Sequence, residues 1–189
     1  MQQRRNIIQL DLRCGGYRVR LMSPQLVSDD WARWLADPRI MLPRGLMPRR
    51  ANREQLTQYV RRMHANQRAI IGIFDAESGR HLGVLEMTFD RQHLIAMVEL
   101  MVDTHRESLT RVAGEVFACL LPRISRKFAI EKYVVQVAET NQEAFAFFSS
   151  SDWIREAELA DEIPGPRDGN RLTVTQFAWF PPQEPAISI

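Results

Sequence analysis

Residues 94–121 read LIAMVELMVDTHRESLTRVAGEVFACLL: an apolar run, a polar break at DTHRESLT, and then a pattern with helical spacing. A strand that passes at once into a helix leaves the helix's first backbone N–H groups unpaired and its positive dipole end open. A phosphate or carboxylate prefers to sit there. The rest of the chain reads as a frame for this turn.

The turn needs a core behind it, and composition supplies one. A chain of 189 residues with 45% hydrophobic residues buries one full core and is short for two, so a single domain is expected. The N-terminal MQQRRNIIQLDLR has charges between its apolar residues, and no run approaches about 18 apolar residues. Neither a signal peptide nor a membrane span is therefore expected, and the protein reads as cytoplasmic with no membrane partner. Cys14 and Cys119 lie far apart without C-x-x-C spacing, and His64, His81, His93 and His105 are scattered singly. No disulfide framework, zinc site or other metal is expected from that pattern.

The net charge of +2 hides an asymmetry, because the chain up to Met63 holds 13 arginines against 5 acids and the remainder holds 12 basic residues against 18 acids. Arg44, Arg49, Arg50, Arg53, Arg61 and Arg62 are the densest part. They form either a solvated helix face or a basic wall toward an anionic ligand or acidic partner. No aromatics interleave with them for base stacking and no nucleic-acid-binding motif is present, so nucleic acid is not an expected partner.

Upstream of the turn, residues 7–12 can add an edge strand, and residues 17–22, YRVRLM, alternate as a half-buried strand. Ser28 offers an N-cap to a helix with Trp31, Trp34 and Leu35 on one face, ended by Pro38. Residues 40–51 hold two prolines and a glycine and read as an ordered loop. Asn52 and Gln55 form a capping-box pattern opening a helix whose stripe is Leu56, Tyr59, Val60 and Met63. A meander follows over residues 69–74, 81–89 and 94–102. Downstream, Pro122 is expected to kink or divide the helix. Residues 133–137 form a strand, Asn141 caps a helix over residues 143–148, residues 153–159 form another strand, and a Gly/Pro/Asp loop at 162–170 leads to a final strand at 171–180. The order implies an α+β or mixed α/β domain around one sheet. Residues 1–16 would be an extension or edge strand, 17–180 the domain and 181–189 a tail. Apolar residues in the final strands leave an edge at which a homodimer could form.

This order, with its local residues, resembles the GNAT superfamily of acyl-CoA-dependent N-acyltransferases, and within it the ribosomal-protein N-terminal acetyltransferase branch. The resemblance spans residues 17–180. It is carried by YRVRLMSP with the tryptophan-bearing helix and Ala36-Asp37-Pro38-Arg39-Ile40; by the strand containing Gly83-Val84-Leu85-Glu86; by Val98 to Asp103 feeding the next helix; and by Asn141-Gln142-Glu143-Ala144 through Phe148 to Asp152-Trp153. It implies a GNAT-like single domain with a mostly antiparallel sheet of about six to seven strands and helices on both faces.

The resemblance also implies a chemistry: an acyl group passes from acetyl-CoA or another acyl-CoA directly to a primary amine on a small molecule or peptide. The thioester would lie against the backbone of Leu100, Met101 and Val102, with the donor contacting Asn141 and Phe148 as well. The pyrophosphate would sit on the amides of the following turn. The family signature there, Arg/Gln-x-x-Gly-x-Gly/Ala, falls on Ser108-Leu109-Thr110-Arg111-Val112-Ala113, or begins at Arg106 if one residue is deleted. Ala113 matches, while Arg111 stands where the central glycine belongs. Glu99 is the candidate base, since strand alternation places it with Met97, Met101 and Asp103, where desolvation would raise its pKa. Glu86 is the second. The family's thiolate-protonating tyrosine falls at Phe148, which has no proton to give, and Tyr133 cannot be assigned that role from sequence. Acceptor recognition would fall to Trp31, Arg44, Arg49 and Arg50 and to the loop at 161–170, the arginines suiting a carboxylate-bearing amine. The altered turn leaves two alternatives: a binding module that has lost catalysis, or a transferase whose donor rides on an acidic acyl-carrier protein.

Overall fold

The computed structural model describes residues 10–66, 68–166 and 169–182. Eight strands form one sheet: β1 (Asp11–Cys14), β2 (Tyr17–Leu21), β3 (Arg68–Asp75), β4 (His81–Asp90), β5 (Ile95–Val102), β6 (Lys132–Ala138), β7 (Ile154–Pro164) and β8 (Arg171–Trp179), in the order β1-β2-β3-β4-β5-β6-β8-β7. The helices are α1 (Asp29–Ala36), α2 (Pro38–Met41), α3 (Arg53–Ala65), α4 (Leu109–Phe128) and α5 (Gln142–Ser150). The expected α/β class with a mostly antiparallel sheet is observed. The strand count rises to eight because Asp11–Cys14 pairs with β2 as an edge strand. Residues 7–9 of the expected first strand lie outside the described residues.

Each face of the sheet carries its own apolar layer. Trp31, Trp34 and Leu35 of α1, Ile40 and Met41 of α2, and Leu56, Val60 and Met63 of α3 pack on one face with Ile70, Val84 and Met101. Val112, Val116, Leu120, Leu121 and Ile124 of α4, with Ala144 and Phe148 of α5, pack on the other. The caps form as their sequences imply: Ser28 accepts from Trp31 N, Asn52 and Gln55 complete a capping box, and Asn141 accepts from Ala144 N.

Four local expectations are corrected. The stretch after Pro38 is partly helical, because Asp37 accepts from Arg39 N and Pro38 sits at the first helical position, where its missing N–H costs nothing. Pro122 does not divide its helix, since α4 runs through it with Leu120, Leu121 and Ile124 buried against the sheet and holding both sides in place. The strand expected over 153–159 continues to Pro164, absorbing the start of the supposed loop, with register shifts against β8 on the way. Cys14 and Cys119 form a disulfide, with Cα atoms 5.5 Å apart across a sequence separation of 105. Hairpin pairing of β1 with β2 brings the edge strand onto α4, a proximity that linear spacing does not reveal. Among the described residues no helix is long and apolar enough to cross a membrane, and no cluster of three or more His, Cys, Asp or Glu is placed to hold a metal.

Candidate active site

Among the described residues, only one strand pair in the sheet is parallel. The crossover β5–α4–β6 aligns Ile95, Ala96 and Met97 with Lys132, Tyr133 and Val134, and the ladder ends there. Beyond it the strands separate, leaving a cleft of about 220 Å³ lined by Met97, Val98, Leu100, Val135, Val137 and Phe148, among others. Its walls are mostly apolar, with Arg44, Glu99, Gln136 and Asn141 among the lining, and suit an alkyl or acyl-thioester arm. Asn141, Ala144 and Leu109 line it as well, so the N-terminal ends of α4 and α5 both reach this space.

A second chamber of about 340 Å³ adjoins it, and the two share Arg44, Leu46 and Glu99. Antiparallel register sets Glu86 of β4 opposite Glu99 of β5, which puts both carboxylates on one sheet face. The face is covered unequally. Tyr59 on α3 donates its hydroxyl proton to Glu86 Oε2 at 2.7 Å, whereas the Glu99 side chain is 72% exposed and pairs with the Arg44 guanidinium at 3.9 Å. Burial pushes the Glu86 carboxyl above the usual carboxylate range, and the charge of Glu99 adds to this; the Tyr59 hydrogen bond, Arg44 and Arg68 oppose it. The Tyr59 hydroxyl is itself driven upward by burial and by Glu86, so it stays protonated. The desolvated carboxylate expected at Glu99 is therefore found at Glu86, because Tyr59 of α3 lies over Glu86 while Glu99 is left open to solvent.

The segment from α2 to Gly45 closes over the gap. Thr140 Oγ1 donates to Pro43 O at 2.8 Å, and Gly45 adopts φ +68° where a Cβ would stand 2.5 Å from Ile163 Cδ1. Arg44 on the same segment faces Glu99 across the cleft. This strap spans from β5 to the β6–β8 side, with Leu46 bordering both chambers.

The chain has the architecture of known acyltransferases. Ribosomal-protein-S5-alanine acetyltransferase from Vibrio fischeri superposes with a TM-score of 0.73 at 12% identity, covering 90% of this chain and 96% of that one. A ribosomal L7/L12 alpha-N-protein acetyltransferase in complex with coenzyme A gives 0.76 at 15% identity, covering 90% and 98%. Spermidine N-acetyltransferase from Vibrio cholerae, in complex with CoA and spermine, gives 0.68 at 16% identity, covering 87% and 95%. The fold is that of the GNAT acetyltransferases. No family model matches the sequence, and no curated protein matches it.

Measured against the GNAT pattern, the expected donor residues divide. Leu100, Leu109, Asn141 and Phe148 do line the cleft. Met101 instead faces the second chamber, and Val102 is buried in the core. Val112 and Ala113 are wholly buried on the inner face of α4 and do not line the cleft. Arg106 bridges Asp103 and Asp30, and Arg111 pairs with Glu115 and Glu107 over the Tyr17 ring, so both arginines already carry acidic partners. Thr110 is exposed on the first turn of α4. Ser108 caps that turn by accepting from Arg111 N, and the Glu143 carboxylate accepts from both Leu109 N at 2.9 Å and Ser108 Oγ at 3.2 Å. The turn thus already holds an anion, supplied by the chain. The cleft offers mostly apolar walls, and the turn beside it offers an internal carboxylate.

On the acceptor side, Trp31, Arg44 and Arg49 line the second chamber, while Arg50 is exposed and lines neither. From the 161–170 loop, Ile163 reaches the cleft. Tyr133 is excluded as an acid at the cleft, because its hydroxyl donates to Leu121 O within the α4 layer. Tyr59, Arg68 and Glu143 were not anticipated. Tyr59 is the one hydroxyl in the apolar stripe of α3, which is the single sequence cue that could have marked it.

Proposed function

We propose that this protein is an N-acyltransferase that moves an acyl group from a thioester to a primary amine, with Glu86 as the general base. The observation that carries this reading is the half-buried Glu86 carboxylate, held by Tyr59 in a chamber adjoining a mostly apolar cleft at the parted strands. A carboxylate raised by burial can take a proton from an ammonium or from the tetrahedral adduct near neutral pH. The amine nitrogen then bonds to the thioester carbonyl carbon, the C–S bond breaks, and the sulfur leaves with the electron pair. An alkyl thiol has an ordinary pKa near about 8.5, so the thiolate departs without an acid from the protein and takes its proton from water. Phe148 accordingly serves as wall and not as acid.

Arg44, Arg49 and Arg68 border the same chamber, and their charge suits an amine that also carries a carboxylate, such as an amino acid or an acidic peptide N-terminus. The GNAT acetyltransferases of like fold named for ribosomal proteins and spermidine make peptides and polyamines the amines to try beside amino acids. The test is mass-spectrometric detection of acylated product from acetyl and longer acyl thioesters across these three amine classes. Transfer to one class supports the reading, and absence of any product with every pair contradicts it. The second reading is a binding module without catalysis. It is favoured by Phe148 in place of a hydroxyl and by the filled turn at α4, and ligand binding without turnover would establish it.

A further inference from the structure

The carboxylate at the start of α4 comes from a different helix. Glu143 lies in the first turn of α5, 34 residues from Leu109, and its Oε1 takes hydrogen bonds from both Leu109 N and Ser108 Oγ. It therefore places one negative charge between two helix N-termini, where each dipole favours it. Glu107 stands in the same turn with a carboxylate already hydrogen-bonded by Tyr17, and Arg106 and Arg111 are both engaged by acids. An incoming diphosphate meets a carboxylate already bonded to Leu109 N and Ser108 Oγ, a second like charge at Glu107, and arginines that already carry acidic partners.

We infer that Glu143 selects the donor. Its carboxylate occupies the anion position at the α4 turn, so a diphosphate on the donor adds no affinity and the cleft recognises the acyl-thioester arm alone. The identity of that arm rests on the N-acyltransfer reading above, whereas the occupation of the turn by Glu143 does not.

Calorimetry on the full chain separates the two. The ligands are inorganic pyrophosphate, CoA and pantetheine, and the proteins are the wild type and Glu143→Ala. Glu143 is solvent-exposed, so its removal leaves the core intact. The wild type should show no pyrophosphate binding and should bind CoA and pantetheine within about threefold of each other. Glu143→Ala should acquire pyrophosphate binding and favour CoA over pantetheine by about tenfold or more, with pantetheine affinity unchanged. The inference is overturned if the wild type already prefers CoA by that margin, or if Glu143→Ala gains affinity for neither pyrophosphate nor CoA. If Glu143→Ala binds pyrophosphate while neither protein binds CoA or pantetheine, the inference about the turn holds and the thioester reading falls.

Discussion

Glu86 and Glu99 face each other on neighbouring strands and are chemically the same, yet only one is desolvated. Tyr59 lies over Glu86, and solvent lies over Glu99. Sequence alternation places both side chains on one face but carries no information about which will be covered, because the cover comes from α3. The same limit applies to Glu143, whose partner Leu109 belongs to another helix. His81 shows how burial translates into stability. Its ring sits between Trp34 and Phe74, contacts Ser28 Oγ and Gly83 O, and is lowered to about 4, chiefly by burial. The unfolded chain, with an imidazole pKa near about 6.5, takes up the proton first as pH falls. Stability present above pH 6.5 is therefore lost between about pH 6.5 and 4, by about 3 kcal/mol. His64, also lowered by burial, contributes in the same direction. Urea unfolding at stepped pH should show this loss, and His81→Phe should flatten most of it; an unchanged slope would remove His81 as the cause.

Among the elements, helices were the most legible because their signals are local. Ser28, Asn52 with Gln55, and Asn141 each cap a helix within three residues of where they stand. The short helix α2 was missed because two prolines and a glycine masked an Asp37 cap. The strap that follows it depends on Gly45 at φ +68°. Gly45→Ala should cost about 1–2 kcal/mol, lowering Tm by several degrees, and should raise KM for the acceptor by loosening Arg44. Unchanged Tm and KM would mean that the strap tolerates the extra methyl. The disulfide joins β1 to α4 across a chain closure that spacing rules could not reveal. Its reduction should lower unfolding stability by about 2–5 kcal/mol, and Cys14→Ser with Cys119→Ser should match the reduced protein. β2 pairing and the Gly16 N to Glu115 bond at 2.7 Å keep β1 docked in its absence. An unmoved urea midpoint would show that the cross-link adds nothing.

At the scale of the whole molecule, one parallel pair in an otherwise antiparallel sheet creates the working space. The meander and the strand–helix–strand succession from β5 to β6 were readable because alternation and helical spacing change abruptly at their boundaries, while the parallel pairing of β5 with β6 and the place of β8 between β6 and β7 were not. The chemistry at the crossover turn was not readable, since a helix N-terminus looks open in sequence and is filled here by a side chain 34 residues away. The proposed function therefore rests on the two chambers and on Glu86 in the second of them. The direct test is steady-state transfer by the wild type and by Glu86→Gln, using the acyl thioester and amine that give product. Glu86→Gln keeps the size and a Tyr59 acceptor but cannot take a proton, so kcat should fall by about 10²–10⁴ with little change in acceptor KM. A kcat within about threefold of the wild type would contradict Glu86 as the base and the account built on it.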